Sequence, residues 1–485
     1  MALKSQLLCG RAATVLVTFL AIVASQCRLL AAGQNGFTDA DIEQIDGFLH
    51  ESFDSASFGM VIGLVDERGS RVLSAGKLHN GADDVNGETL FWIGSVTKTF
   101  TTLLLQDMVA RGEMRLDDPV TKYLPKSVKV PSHGGREITL LDLATHTSGL
   151  RSNPDDLSRQ NPYKSFAAYT AEKLYAFLSK HTLDRDPGAK YEYSDMGMAL
   201  LAHAITLRAA TDYESLVVER ICRPLHMDCT RITLTPELQA RLAIGHDPSG
   251  NRSVAHEFHV MTGAGALRST ANDLVKYVSA NLGLTPSSLM PLMEKTHVIR
   301  QRAVPDAGNV AMDWMDRGES EQTGKDLLGH GGATGGYQAF VGLDKKQRRG
   351  VVVLSNQRQG DISAEALGWL LLEGVRLTPQ ITAVLSKRKS AELSGVGVKL
   401  EFDRPTRTVQ FGEVIPNSPA ALAGLSTGLV VQSIDGIPTA GKSMMECISL
   451  LRGKAGTTVR LELANSERQK ANTVELTRQP FQILK

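Results

Sequence analysis

The sequence has almost no net charge, few cysteines and no recognisable metal-binding motif. Its 53 basic and 52 acidic residues leave a formal net charge of +1, so there is no electrostatic case for a nucleic-acid or acidic surface partner. Five cysteines make no disulfide framework, and Cys222 and Cys229 either form one bridge or stay unpaired. Metal-ligand spacings and phosphate-binding glycine loops are also absent, so we expect neither a metal nor a cofactor.

The N-terminus carries an export pattern. Lys4 and Arg11 precede an uncharged, mainly apolar run over residues 12–24. This order is typical of a secretory signal peptide, which we assign to residues 1–32, with cleavage after Ser25 or Ala32. The alternative is an uncleaved membrane anchor. Both predict an exported protein, secreted or periplasmic.

The length of 485 residues exceeds one ordinary core, so we expect at least two domains. Residues 38–376 read as a helix, two strands, a long helix-rich region, further strands and a closing helix. This order predicts an α/β (α+β) domain whose sheet is built from both termini, with a helical lobe inserted. Residues 377–392 form a linker candidate, and residues 393–480 alternate like a small β-rich domain.

One short stretch suggests nucleophilic chemistry. Ser95 and Lys98 lie three residues apart, nearly one helical turn, and therefore share a face. A serine hydroxyl needs a base to take its proton, and a lysine serves as that base only where burial and neighbours keep it neutral. The apolar flanks predict burial. The spacing alone is weak, because Ser386 and Lys389 also satisfy it in a basic segment.

Two later stretches contain residues that suit the same chemistry. Tyr193 is a phenol that acts as, or relays to, the general base when a lysine ammonium is near. His330 begins a glycine-rich strand, where Gly331 and Gly332 let a substrate backbone approach closely. Backbone amides of that strand and of Ser95 would form an oxyanion hole.

Together, these stretches resemble the serine-hydrolase family of class C β-lactamases, D-alanyl-D-alanine carboxypeptidases, D-aminopeptidases and related esterases. The resemblance covers about residues 38–376. The motifs, in chain order, are Ser95-Val96-Thr97-Lys98, Leu143-Ala144-Thr145-His146-Thr147-Ser148-Gly149-Leu150, Tyr193-Ser194-Asp195-Met196-Gly197, Gly263-Ala264-Gly265-Ala266-Leu267-Arg268-Ser269-Thr270-Ala271-Asn272-Asp273-Leu274 and His330-Gly331-Gly332. It implies a β-lactamase/transpeptidase-like fold, with an antiparallel sheet and a helical lobe.

The resemblance also implies catalytic roles. Ser95 matches the acylated nucleophile, Lys98 the lysine that helps to activate it, and Tyr193 the general base and leaving-group acid. His330 matches the first residue of a triplet that lines the site from an edge strand. The amides of Ser95 and Ala333 would form the oxyanion hole. His146 and Arg268-Ser269-Thr270 match motifs that we interpret as architectural.

Two positions depart from the family pattern. The family usually has asparagine where this chain has Asp195, and a carboxylate only accepts hydrogen bonds where an amide would donate one to substrate. Asp195 would instead hold Lys98 charged and put more weight on Tyr193. At position 330, a mostly neutral histidine suits a substrate carboxylate less than a lysine does. Both departures favour an esterase, a D-aminopeptidase or another amide or ester hydrolase over an efficient β-lactamase.

Residues 393–480 resemble a bacterial PDZ domain. The matching segments are Gly395-Val396-Gly397-Val398, Gly412-Glu413-Val414-Ile415-Pro416-Asn417-Ser418-Pro419-Ala420, Ala423-Gly424-Leu425, Ile434-Asp435-Gly436 and Leu451-Arg452-Gly453-Lys454-Ala455-Gly456. Leu429 replaces the aspartate that is usual after Gly428. The resemblance implies that the loop from Gly395 to Val398 offers amides to a peptide C-terminal carboxylate. The alternative is a scaffold domain with no peptide ligand.

The sequence therefore predicts an exported serine hydrolase acting on an amide or ester substrate through an acyl-enzyme on Ser95. Its expected partners are that small-molecule or peptide substrate and a peptide C-terminus at the PDZ domain. The alternative from another class is a penicillin-recognising or scaffolding binding protein with little turnover.

Overall fold

A computed structural model describes residues 36–54, 56, 58–78, 83–153, 166, 169–247, 251–253, 258–304, 308–320, 325–357, 363–377, 393–403, 408–415, 418–440, 442, 444–454, 456–464 and 472–479. The predicted signal peptide and nearly all of the predicted linker lie outside these residues. None of the helices in this part of the chain is both long and apolar enough to span a bilayer. Cys222, Cys229 and Cys447 are free thiols, so Cys222 and Cys229 do not pair.

Most of the α-helices lie in the middle of the first domain, and most of the strands lie towards its end and in the C-terminal region. The helices are α1 (Asp39–Phe53), α2 (Thr97–Ala110), α3 (Leu140–Ala144), α4 (Ala171–Lys180), α5 (Asp195–Ala209), α6 (Tyr213–Val217), α7 (Pro236–Ala240), α8 (Thr262–Gly265), α9 (Ala271–Asn281), α10 (Met290–Thr296), α11 (Ala364–Glu373), α12 (Pro419–Leu422) and α13 (Met444–Leu451). The strands are β1 (Gly59–Asp66), β2 (Gly69–Gly76), β3 (Phe91–Trp92), β4 (Ser132–His133), β5 (Arg136–Glu137), β6 (Arg268–Ser269), β7 (Gln301–Val304), β8 (Gly308–Val310), β9 (Met315–Ser320), β10 (Lys325–Ala333), β11 (Gln338–Asp344), β12 (Arg349–Ser355), β13 (Leu393–Ser394), β14 (Val398–Asp403), β15 (Thr408–Val414), β16 (Val430–Ile434), β17 (Ile437–Pro438), β18 (Gly453–Lys454), β19 (Thr458–Ala464) and β20 (Asn472–Thr477).

The main sheet is antiparallel and joins the two ends of the first domain. Its strand order is β2-β1-β12-β11-β10-β9-β8-β7. β1 pairs directly with β12, in a register that sets Met60 opposite Ser355 and Val65 opposite Gly350. The helix-rich lobe lies in sequence between β2 and β7. This confirms the predicted mixed fold, in which a sheet contains strands from both termini and an inserted helical lobe.

Both faces of this sheet are covered, and β1 shows how. Met60, Ile62 and Leu64 enter the apolar cluster formed with α1 and α11. Val61 and Val65 enter the larger cluster that fills the helical lobe. Successive strand residues point to opposite faces, so a strand with helices on both sides is apolar throughout, and every residue of β1 is buried.

Two helices of the first domain begin with a capping box. Thr38 caps α1 in a capping box with Asp41. Thr139 caps α3 in the same way with Asp142. Each box satisfies backbone N–H groups that the first helical turn leaves without partners. α3 is short and ends at Ala144.

The C-terminal region contains a separate sheet and a separate apolar cluster. The sheet order is β14-β15-β16-β19-β20, with β17 paired to β16. Its core includes Val396, Phe411, Val431, Ile434 and Leu461. α13 follows β17 in the sequence. This is the β-rich C-terminal region that the sequence predicted.

Candidate active site

Ser95 lies on a tight turn just before α2. The turn is a short 3₁₀ segment, Gly94–Val96, followed at once by the helix. Gly94 has a φ of +51°, and a Cβ there would lie 2.8 Å from the backbone nitrogen of Ala333. A glycine is therefore needed where the turn meets the end of β10. The predicted burial of the flanks is confirmed, since Phe91, Trp92, Ile93 and Phe100 are all buried.

Lys98 points back at Ser95 from the first turn of α2. Its Nζ donates to Ser95 Oγ at 3.0 Å and to the carbonyl oxygen of Ala264 at 2.6 Å. The same Nζ lies 2.8 Å from Asp195 Oδ1. Burial alone would lower the pKa of Lys98, but the surrounding acidic groups, Asp195 foremost through its charge and its hydrogen bond, together raise it above its usual value. The geometry supports the reading in which Asp195 holds Lys98 charged.

Tyr193 approaches Ser95 from the start of α5. Its hydroxyl donates to Ser95 Oγ at 2.8 Å. Burial raises the pKa of the Tyr193 phenol, and the nearby Lys98 ammonium offsets part of that rise. The next residue, Ser194, caps α5 by accepting a hydrogen bond from the Gly197 amide at 2.8 Å. This cap fixes Tyr193 and Asp195 on either side of the helix start.

The end of β10 forms the opposite wall. A Cβ on Gly332 would lie 2.0 Å from the carbonyl oxygen of Ile93 and 3.1 Å from the backbone nitrogen of Ser95. The predicted edge strand needs a correction, because β10 lies inside the sheet between β11 and β9. The pairing with β9 ends at Gly329, so only the last residues of β10 extend past that neighbour. The oxyanion candidates Ser95 and Ala333 both line the pocket at this point.

His330 does not line the pocket. Its side chain is only 2% exposed, with Nε2 3.5 Å from Asp313 Oδ1. His330 Nδ1 lies 2.6 Å from the carbonyl oxygen of Gly331. His146, which the sequence analysis interpreted as architectural, binds the same Asp313 oxygen through Nε2 at 2.8 Å.

The sequence analysis missed Asp313 and the apolar wall of the pocket. Asp313 stands alone as a charge among Ala311, Met312 and Trp314, all fully buried. A lone carboxylate inside an apolar run is seldom buried without partners, and that signal was available in the sequence. The carbonyl of Ala264, in contrast, is a backbone acceptor, and nothing in the side-chain pattern marks it.

A pocket of about 210 Å³ opens beside Ser95. Phe166, Phe258 and Met261 supply an apolar side, and Thr334 and Ser95 supply hydroxyl groups. Asp195 is the single charged residue among the described residues that line it. None of the described lining residues is therefore a cation that would pair with a substrate carboxylate.

In the predicted peptide-binding loop, from Gly395 to Val398, several backbone groups already have hydrogen-bond partners. The Gly395 amide donates to the Gln479 carbonyl at 3.1 Å, so this amide is already used. Gly397 has a φ of +79°, which turns the chain into β14. The carbonyls of Val396 and Gly397 accept hydrogen bonds from the Ala420 and Ile415 amides.

Residues 44–375 match the family model described as Beta-lactamase. The chain belongs to the beta-lactamase family. Residues 410–465 match a second family model, described as PDZ domain. Both assignments agree with the resemblances read from the sequence.

Several curated and solved relatives of this beta-lactamase-family chain are known by name. It is 31% identical over 238 residues to the Escherichia coli K12 protein "D-alanyl-D-alanine-carboxypeptidase/endopeptidase AmpH", a match that covers 48% of this chain and 60% of that protein. It is 25% identical over 328 residues to "Protein flp" of Staphylococcus aureus strain NCTC 8325, covering 66% of this chain and 64% of that protein. The matches thus span about 60% of the length of these curated relatives.

Solved structures show the same fold. A Yersinia pestis beta-lactamase/D-alanine carboxypeptidase aligns with a TM-score of 0.59 and 22% identity over 69% of this chain and 99% of that one. The D-alanine carboxypeptidase AmpC of Burkholderia cenocepacia aligns with a TM-score of 0.54 and 25% identity, covering 65% of this chain and 92% of that one. The chain therefore shares its fold with proteins named as D-alanine carboxypeptidases.

Proposed function

We propose that this chain is an exported serine hydrolase that opens an amide or ester bond through an acyl-enzyme on Ser95. The observation that carries the proposal is the pair of contacts at Ser95 Oγ, from Lys98 Nζ at 3.0 Å and from the Tyr193 hydroxyl at 2.8 Å. A hydroxyl held between a cation and a phenol has a charge to stabilise its anion and, once the phenol is ionised, a phenolate to take its proton.

Tyr193 is the proposed general base. Its phenolate takes the proton of Ser95, and the ammonium of Lys98, held charged by Asp195, stabilises the negative charge on both oxygens. Ser95 Oγ then attacks the substrate carbonyl, and the amides of Ser95 and Ala333 bind the oxyanion. Tyr193 returns its proton to the leaving group, and water releases the acyl group.

The pocket supports a substrate whose acyl part is apolar or carries an amine rather than a carboxylate. Asp195 is the charged group of the described lining, and its side chain is 24% exposed. Esters and D-amino-acid amides fit this chemistry. D-alanyl peptides belong in the same panel, because one relative is named as a D-alanyl-D-alanine carboxypeptidase.

The PDZ region is proposed to bind peptide C-termini. β14 lies at the edge of its sheet, so an extended peptide can add there as another strand. The carboxylate would bind at the amides of Val396, Gly397 and Val398, while Gly395 stays joined to Gln479. A peptide with a free C-terminus should bind, and the same peptide with an amidated C-terminus should not.

Intact-mass labelling tests the hydrolase proposal. The wild type and Ser95→Ala are incubated separately with a fluorophosphonate and with a penicillin. We expect one fluorophosphonate adduct on the wild type and none on the variant, together with loss of ester or amide hydrolysis in the variant. Unchanged hydrolysis in Ser95→Ala would contradict the mechanism. A penicillin adduct that never turns over, with no hydrolysis of the panel, would favour the binding-protein alternative.

A further inference from the structure

One buried carboxylate connects the two walls of the candidate active site. Asp313 Oδ1 lies 2.8 Å from His146 Nε2 and 3.5 Å from His330 Nε2. The side chains of Asp313 and His146 are each 1% exposed, and that of His330 is 2% exposed. His146 belongs to the helical lobe, His330 to β10, and Asp313 to the turn before β9.

The partners of His146 fix its protonation. A backbone amide can only donate, and the Ser194 amide donates to His146 Nδ1 at 3.1 Å. Nδ1 is therefore unprotonated, and the ring proton sits on Nε2, where it is donated to Asp313. His146 is a neutral imidazole with one fixed tautomer, assigned from its partners.

The partners of His330 require a different protonation state. His330 Nδ1 lies 2.6 Å from the Gly331 carbonyl oxygen, which can only accept. His330 Nε2 faces the Asp313 carboxylate, which also only accepts when ionised. A neutral imidazole has one N–H and satisfies one of these oxygens. The imidazolium has two and satisfies both.

Charge balance supports the same assignment. An ionised carboxylate buried in a protein needs a paired cation. Burial by itself would raise the pKa of Asp313, but the hydrogen bond from His146 and the neighbouring His330 lower it below its usual range, so Asp313 is ionised. His146 uses Nδ1 as an acceptor, and Lys98 pairs with Asp195, which leaves His330, 3.5 Å away, as the cation beside Asp313.

The network holds two catalytic candidates in place. The His146 ring packs against the Tyr193 ring with centroids 4.5 Å apart, and its Nδ1 anchors the Ser194 amide. His330 binds the Gly331 carbonyl, two residues before Ala333. His146 and Asp313 both have left-handed backbones, with φ of 55° and 57°, which are uncommon for residues other than glycine.

We propose that His330 is a permanent imidazolium in the resting enzyme, and that Asp313 is a positioning residue that ties the Tyr193 wall to the β10 wall through His146 and His330. The inference rests on the proposed function of Ser95 and Tyr193. In this proposal, the positive charge of His330 is buried beside Asp313. It holds the β10 wall in position and does not bind a substrate carboxylate.

Histidine nitrogen spectra test the protonation state directly. The full-length protein is labelled with ¹⁵N-histidine, and the His330 signals are identified by their absence in His330→Gln. We expect both His330 nitrogens to show imidazolium shifts at neutral pH and His146 to show one protonated and one bare nitrogen. Neutral shifts for His330 would overturn the proposal, while Ser95-dependent labelling would still support the proposed function.

Substitutions test the positioning role. His330→Lys keeps the charge and should label with fluorophosphonate within about tenfold of the wild-type rate, whereas the neutral His330→Gln and Asp313→Asn should each lose about 100-fold. His203→Gln is the matched control, since His203 lies on α5 and contacts the Tyr175 hydroxyl instead. Wild-type rates in His330→Gln would overturn the proposal even if Asp313→Asn does not fold.

Discussion

At the scale of single residues, the pair Lys98 and Asp195 decides how the candidate site works. A fully buried ammonium normally loses its proton, because burial penalises the charged form. Here the carboxylate lies 2.8 Å from Nζ and raises the pKa of Lys98 above its usual value. In the proposed mechanism, the lysine therefore serves as a fixed charge, and the proton of Ser95 goes to Tyr193.

Asp195→Asn should destabilise the protein in a pH-dependent way. Without the carboxylate, burial depresses the pKa of Lys98 in the folded state below its unfolded value. The unfolded state then binds more protons, so the free energy of unfolding rises with pH up to the unfolded pKa of lysine. We expect a loss of about 3–5 kcal/mol at pH 7 that shrinks by pH 9.5, measured by urea denaturation.

The matched control for that experiment is Asp184→Asn. Asp184 is 78% exposed and pairs with Arg185 at the surface. Its loss should change the free energy of unfolding by no more than about 0.5 kcal/mol at either pH. A pH-independent loss in Asp195→Asn would contradict Asp195 as the group that holds Lys98 charged.

The proposed role of Tyr193 as the general base predicts that the acylation rate rises with pH. The reactive form is the phenolate, and burial raises the pKa of Tyr193 above its usual value. The phenolate fraction, and with it the rate of fluorophosphonate labelling, should rise about tenfold per pH unit between pH 6 and 9. Lys98 stays protonated over this range because its pKa is also raised.

Two phenylalanine variants separate this effect from the general reactivity of the reagent. Tyr193→Phe should label slowly and with a flat profile. Tyr191→Phe should keep the wild-type slope, because Tyr191 packs edge-on against His146 at 5.8 Å and does not contact Ser95 in the described hydrogen bonds. A flat profile in the wild type would argue against Tyr193 as the base.

At the scale of elements, local patterns were the part that the sequence predicted best. The shared face of Ser95 and Lys98 and the hairpins β1–β2 and β11–β12 at the two ends of the domain are set by neighbours in the chain. Strands β7, β8 and β9 were not predicted, because their short segments carry no clear alternation. In the structure each pairs with the next strand along the chain, β7 with β8, β8 with β9 and β9 with β10.

Whether a residue belongs to a recognisable motif decides which parts of the candidate site were predicted. Ser95, Lys98, Tyr193 and Asp195 were identified by motif, and their side chains are in contact in the fold. Asp313 was missed because it belongs to no motif and its contact with His146 spans 167 positions of sequence. His330 is turned away from the pocket and faces Asp313, so its orientation also could not be predicted from the local sequence.

Because β10 lies so close to the Ser95 turn, we expect one methyl group added at Gly332 to slow the labelling of Ser95 strongly. Gly332→Ala would place its Cβ 2.0 Å from the Ile93 carbonyl oxygen, so the two segments must separate. Such a shift displaces the Ser95 and Ala333 amides from each other, and we expect about a 100-fold slower labelling rate. The measurement is intact-mass labelling over time at constant pH.

Gly47→Ala is the control for that substitution. Gly47 lies inside α1, and a Cβ there meets no atom within 4 Å. The change should raise the free energy of unfolding by about 0.5–1 kcal/mol, because alanine suits a helix interior better, and should leave labelling unchanged. Equal labelling by both glycine variants would contradict the close packing at Gly332.

At the scale of the whole molecule, the described apolar clusters indicate how the chain unfolds. The clusters on the two faces of the main sheet share strands such as β1, so they cannot melt independently. The third cluster, around Phe411, is built from residues of the C-terminal sheet and its helices. We therefore expect two cooperative units, joined by the predicted linker over residues 377–392.

Calorimetry of the full-length chain should show two thermal transitions, each sensitive to its own core. Phe411→Ala removes a fully buried ring and should lower only the PDZ transition, by the equivalent of about 3–5 kcal/mol. Leu104→Ala removes a fully buried side chain from the helical lobe and should lower only the hydrolase transition, by about 2–5 kcal/mol. Fluorophosphonate labelling after heating past the first transition identifies which unit has melted. A single transition that both variants shift equally would mean that the two units fold as one, and the proposed division at the linker would be wrong.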